Sequence, residues 1–185
     1  MPHQTLPLDD DGIYHIYNRA VGNEQLFLNE QYYLHFLQGL EKYLLPHVHI
    51  WSYCLLPNHF HLLAEIRTHS TGKAFSKAIS DCCNAHTKWL NTLNERKGNL
   101  FMRPFKRNKI KDDTHLAWTI WYIHRNPVHH NYIAGLKQWR FSSYNAIGSD
   151  KTKVDTEKVL EFFGGYDNFI KHHSIQLKGF YDSLE

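Results

Sequence analysis

Pro57-Asn58 followed at once by His59-Phe60-His61 limits how this chain can fold more than any other feature. The run His47 to Leu56 is rich in β-branched and aromatic residues, Pro57-Asn58 is a turn pair, and residues 59 to 66 resume a strand pattern, so the two runs form a hairpin. Side chains alternate along a strand, which sets His59 and His61 on one face and turns Phe60 into the core. Their backbone positions lie roughly 6.5 Å apart, a gap that two converging side chains can close onto one divalent cation. For the tripeptide alone, a pair of ordinary histidines on a polar face is the competing reading.

The rest of the chain supplies the partners of this hairpin. Residues 12 to 19 alternate as a strand, with Ile13, His15, Tyr17 and Arg19 on one face and Tyr14, Ile16 and Asn18 on the other. Tyr33, Phe36, Leu37, Leu40 and Leu44 recur at helical spacing over residues 29 to 45, with Asn29 as N-cap and Pro46 as the stop. A second, longer helix covers residues 73 to 94, and a basic strand follows around residues 101 to 107. The order is strand, helix, strand, strand, helix, strand. That is the split βαβ, ferredoxin-like (βαββαβ) arrangement of an α+β protein, an antiparallel sheet with both helices on one face and the other face free for a site.

At 185 residues the chain is long enough for one domain, residues 1–147, with a C-terminal extension, 148–185, that contains two short helical pieces broken at Gly164-Gly165. Its cysteines are Cys54 and the adjacent pair Cys82-Cys83; neighbours seldom bridge and no metal-binding spacing links them, so reduced thiols and a cytoplasmic location are expected. No signal-peptide pattern opens the sequence and no apolar run reaches membrane length, so no membrane partner is expected.

Charge is unevenly spread. Seven of the 21 lysines and arginines (Arg96, Lys97, Arg103, Lys106, Arg107, Lys109 and Lys111) fall in residues 96 to 111, which hold no acid, so the remainder is net acidic against its 18 carboxylates. A local basic patch containing Phe101 and Phe105 suits a polyanion with unpaired bases, the rings stacking and the cations contacting phosphate. The alternation Phe101-Met102-Arg103-Pro104-Phe105-Lys106-Arg107 is read as a strand with one basic face.

Beyond that strand, Asp113 to Arg125 reads as a helix with two unlike faces when its residues are placed at about 100° intervals. Leu116, Ala117, Ile120, Trp121 and Ile123 make the apolar side. His115, Thr119, Tyr122 and Asn126 make the other, which is expected to face away from the core. Tyr122 and Asn126 stand four residues apart, so a phenol and an amide oxygen can reach one point. Pro127 leaves two readings of Asn126: a continuation of this helix, or the cap of a short one starting at Pro127. His15 reads as a surface histidine or a group behind the metal site, and the pairs His129-His130 and His172-His173 read as solvated.

Five pieces together resemble one family: Tyr14-His15-Ile16-Tyr17-Asn18-Arg19, Leu56-Pro57-Asn58-His59-Phe60-His61-Leu62-Leu63, Phe105-Lys106-Arg107, Tyr122-Ile123-His124-Arg125-Asn126-Pro127-Val128, and Trp139-Arg140-Phe141-Ser142-Ser143-Tyr144. In this order and spacing, from about residue 12 to about residue 147, they are similar to the REP-associated tyrosine transposases. These are relatives of the insertion-sequence single-tyrosine transposases among the histidine-hydrophobe-histidine nucleases. The resemblance implies a ferredoxin-like nuclease domain that uses Mg²⁺ or Mn²⁺ to cut single-stranded DNA beside a small imperfect hairpin. It makes His59 and His61 the metal pair, Tyr122 the nucleophile forming a 5′-phosphotyrosine, and Asn126 the residue completing the metal shell, a place held by Gln in many single-tyrosine relatives. It also implies a monomer or a homodimer.

Arg19, Arg103, Lys106, Arg107, Lys109, Lys111 and Arg125 are the expected DNA contacts, largely to phosphate. Neutral imidazoles leave a cation its full charge, and two histidines with an amide also suit Zn²⁺. Two rival functions keep part of this pattern. A metal-dependent hydrolase of a smaller substrate has no use for Tyr122 or the basic strand, and a non-catalytic DNA-hairpin binder has no use for the full set of His59, His61 and Tyr122.

Overall fold

The computed structural model of the chain describes residues 7–148 and 153–175, so the domain limit expected at residue 148 falls beside residues outside those described. Strands β1 (Ile13–Arg19), β2 (Val48–Leu56), β3 (His59–Ile66) and β4 (Lys106–Lys109) form one antiparallel sheet in the order β2-β3-β1-β4. Helix α1 (Glu30–Gly39) lies between β1 and β2 and widens in its last turn, Leu40–Leu44, where the Leu45 amide donates to the Leu40 carbonyl. Helix α2 (Gly72–Leu93) lies between β3 and β4, and α3 (Asp113–His129) follows β4. Two short helices, α4 (Thr156–Phe163) and α5 (Tyr166–His173), close the described chain. The βαββαβ order is the one read from the sequence.

Alternation along the two central strands divides the molecule into layers. Tyr14 and Ile16 of β1 and Phe60, Leu62 and Ala64 of β3 are buried on the face that carries α1 and α2, where the Phe36 and Phe60 rings stand 5.1 Å apart. The opposite face carries His15, Tyr17, His59 and His61, and it is not free: α3 lies across it, against β2 and β3. Register across the sheet sets Tyr17 opposite His61 and Arg19 opposite His59. A bulge between Ile50 and Ser52 inserts Trp51, whose indole N–H donates to Glu65 at 3.0 Å.

The basic strand is shorter than expected and its cations do not share a face. Phe101 makes an isolated bridge to Ala20, and pairing resumes only at Lys106 because Pro104 has no N–H to donate to the ladder. Lys106 and Asn108 then face α3 beside Tyr17 and His15, while Arg107 and Lys109 stand opposite Ile16 and Tyr14 on the other face.

Helix α3 reverses the expected assignment of its faces. Tyr122 and Asn126 are fully buried, and the stripe Thr119, Tyr122, Asn126 meets the sheet rather than facing away from the protein. The far side is covered in turn by the C-terminal segment: the Trp121 indole donates to the Ile175 carbonyl at 3.1 Å, and His124 bonds His173 of α5 at 2.8 Å. The helix continues through Pro127 to His129, so Asn126 is a helical residue and not the cap of a new helix. All three cysteines are buried free thiols. No helix of the described residues is long and apolar enough to cross a membrane.

Candidate active site

The site is built from the first turn of β3, the middle of β1 and the second half of α3. Pro57-Asn58 starts β3, and the next three residues alternate so that Phe60 packs on α1 while His59 and His61 face α3, their rings 5.2 Å apart and nearly perpendicular. Asp112 caps α3 by accepting from the His115 amide at 2.8 Å, which fixes where the helix begins and hence which turns cross the histidines. Ten residues after Asp112, Tyr122 sets its ring edge-on to His61 at 5.5 Å and to His15 at 5.9 Å. One turn later Asn126 reaches His59.

The polar atoms here are oriented by their partners. His59 Nδ1 lies 2.7 Å from Asn58 Oδ1, which leaves Nε2 of that ring toward Asn126 Oδ1 at 3.5 Å. The Asn126 amide is held the right way round because its Nδ2 donates to the Tyr122 carbonyl at 3.3 Å. His61 Nδ1 bonds His15 Nε2 at 2.9 Å, and His61 Nε2, though buried, has no hydrogen-bond partner. Burial holds the His61 imidazole well below its ordinary pKa, with the neighbouring histidines adding repulsion, so the ring is neutral and able to donate a lone pair.

An orphaned buried ring nitrogen beside a second ring nitrogen and an amide oxygen is a donor set that fits a divalent cation. No group of three His, Cys, Asp or Glu side chains with metal-binding geometry occurs among the described residues, and the side-chain oxygen facing His59 Nε2 is that of the Asn126 amide. His15 is the residue that strand alternation left undecided. It is buried, not on the surface, because β1 lies next to β3 and its register brings His15 diagonally against His61. His173, read as solvated, is buried too; it bonds His124 and the Phe169 carbonyl and ties α5 to α3.

The cations expected on DNA are dispersed around this site. Arg19 ends β1, exposed, opposite His59. Lys106 lies over the Tyr17 ring, 5.5 Å from its centre, on the site face. Lys111 borders an open cavity of about 690 Å³ with His15, Asn108 and His115. On the other face Arg103 donates to Asn84, Arg107 sits 4.5 Å over Phe105, and both line a second groove of about 510 Å³. Lys109 pairs with Asp9 at 2.6 Å, and Arg125 turns toward Trp121 and α5.

Comparison with known proteins bears on the fold. No family model matches the chain. Over 101 residues it is 31% identical to a Haemophilus influenzae protein described as a REP-associated tyrosine transposase; the aligned stretch is 50% of this chain and 56% of that protein, so the chain spans about half the length of the curated relative it matches. Its fold matches, with a TM-score of 0.68 at 16% identity, a solved structure of a REP-associated tyrosine transposase bound to a REP hairpin, covering 81% of this chain and 86% of that one. Sequence over half the chain and fold over most of it both point to a likeness with the REP-associated tyrosine transposases.

Proposed function

We propose that this chain is a metal-dependent nicking and joining enzyme for single-stranded DNA, with a ferredoxin-like nuclease domain in residues 1–147, acting in the cytoplasm beside small imperfect hairpins. The observation that carries the reading is the juxtaposition on one sheet face of Tyr122 with His59, His61 and Asn126, where the buried His61 Nε2 has no partner. In this reading His59, His61 and Asn126 would hold Mg²⁺ or Mn²⁺, and the bound cation supplies charge withdrawal at a non-bridging phosphate oxygen and alignment for in-line attack.

Tyr122 Oη attacks the scissile phosphorus and loses its proton; the new Tyr–O–P bond replaces the bond from phosphorus to the 3′ oxygen, which leaves as a 3′-hydroxyl. The 5′-phosphotyrosine keeps the energy of the phosphodiester, so a second 3′-hydroxyl can displace the phenol and rejoin strands without ATP. Hydrolysis alone needs no tyrosine. Arg19, Arg103, Lys106, Arg107 and Lys111 would supply phosphate contacts, with Lys109 paired to Asp9 and Arg125 turned toward Trp121 and α5.

Tyr122 is fully buried, so attack requires the seam between α3 and the sheet to open when DNA enters. The same burial favours one alternative, a DNA-hairpin binder that has kept the residues without the reaction. A single gel separates them. The protein is incubated with a panel of single-stranded hairpin oligonucleotides, with Mg²⁺ or with chelator, and a covalent protein–DNA band is sought. The expected result is a metal-dependent band that Tyr122→Phe abolishes while binding persists. A band that survives Tyr122→Phe overturns the nucleophile, and binding without any band supports the non-catalytic reading.

A further inference from the structure

We infer that His15 is a positioning residue that fixes both the ring orientation and the tautomer of His61, so that His61 presents a lone pair and not an N–H at Nε2. The inference deepens the metal reading above and rests on it for its consequence, though not for its geometry.

The contact is between His15 Nε2 and His61 Nδ1 at 2.9 Å, with the two rings side by side and only 26° from coplanar. Both residues are buried, at 2% exposure each. Two neutral imidazoles share one proton across such a contact, which leaves two arrangements. If His15 donates, His61 carries its proton on Nε2, and that N–H is buried with no acceptor. If His61 Nδ1–H donates to His15, Nε2 carries the lone pair. A buried donor with no acceptor is the costlier state, so the contact selects the second. It is also the state in which a ring nitrogen can bind a cation, the other nitrogen being held by a polar partner behind it.

His15 is itself held rigidly. Tyr17 stacks on it at 4.9 Å and 26°, and the Tyr122 ring meets it edge-on at 5.9 Å. Strand pairing sets the rest of the geometry, since Tyr17 lies opposite His61 and His15 opposite Leu63. The ring that orients His61 therefore belongs to β1, a separate strand from the one that carries His59 and His61.

Two measurements on the full chain test this. Nitrogen-15 NMR of histidine-labelled, metal-free wild type reports the tautomer of each ring; His61 is expected as the Nδ1–H form, and finding it as Nε2–H overturns the inference without any substitution. Mn²⁺ titration followed by electron paramagnetic resonance is then run on wild type, His15→Ala and His15→Gln, with folding of each checked by circular dichroism. His15→Ala is expected to weaken Mn²⁺ binding by about 10- to 100-fold and to mix the His61 tautomers, while His15→Gln, whose Oε1 can accept the same proton, restores most of both. Wild-type affinity in folded His15→Ala, or no recovery in folded His15→Gln, overturns the positioning role. Wild type that binds no Mn²⁺ but shows His61 as Nδ1–H overturns the metal reading and leaves the tautomer assignment standing.

Discussion

Lys106 and Lys109 lie three residues apart on one short strand, yet their surroundings differ enough to predict different behaviour on DNA. Lys106 lies over Tyr17 on the face of His59 and His61, whereas Lys109 faces the other way and is paired with Asp9. Lys106→Ala should weaken binding of a single-stranded hairpin and lower the slope of log affinity against log salt by about one, while Lys109→Ala leaves the slope nearly unchanged. Equal slopes for the two variants would remove the distinction. Asn126 carries the second prediction at this scale. Asn126→Asp keeps the shape and adds a charge that metal-free protein must bury, so the variant should lose roughly 2–4 kcal/mol of stability without metal. Mn²⁺, which favours carboxylate oxygen, should restore its melting temperature. A melting temperature indifferent to Mn²⁺ would argue that residue 126 does not touch the cation.

Helix α3 is the element on which the site depends, and its start is set by one side chain. Asp112→Ala removes the cap on the His115 amide and should cost about 1 kcal/mol in urea unfolding, with a loss of adduct formation out of proportion to that cost because Tyr122 and Asn126 shift together. Strict proportion between the two would make the cap merely structural. The same helix marks how far the sequence could be read. β3 runs from His59 to Ile66 as predicted, because turn chemistry and alternation are local signals. The pairing of Tyr122 with Asn126 was legible from helical spacing. Which way they face was not: the polar stripe suggested a side turned away from the core, and only tertiary packing shows that the sheet lies beneath and α5 above. His15 was ambiguous for a related reason, since its importance comes from the β1–β3 register, a non-local fact. The basic strand was overextended because Pro104 interrupts a ladder that alternation alone cannot see.

At the scale of the whole molecule, buried histidines join layers that share no strand pairing, and this makes stability depend on pH. His124 lies between Ser143 at 2.7 Å and His173 at 2.8 Å, while His173 Nδ1 faces the Phe169 carbonyl at 2.8 Å, so one chain of bonds links α3, α5 and the segment before α4. On the opposite side of the sheet His86 of α2 reaches the Leu26 carbonyl at 3.0 Å and His35 of α1 at 3.1 Å. Burial is the main cause that pushes His173 down to about 3 and His86 down to about 4 from an ordinary 6.5, and it holds His124 well below its usual range. The unfolded chain takes up protons near 6.5 and the folded chain does not, so the stability from these neutral rings is complete above that pH and is lost as pH falls toward 4 and then 3. Each of His173 and His86 contributes about 2 kcal/mol of destabilisation by pH 5. The urea midpoint is therefore expected to fall steeply between pH 7 and pH 5. His173→Gln should flatten part of that slope, because glutamine can keep a bond to His124 but cannot take up the proton. A midpoint that stays level across this range, or a slope that His173→Gln leaves untouched, would mean that these rings are already accessible to solvent protons and do not hold the helical layers to the sheet.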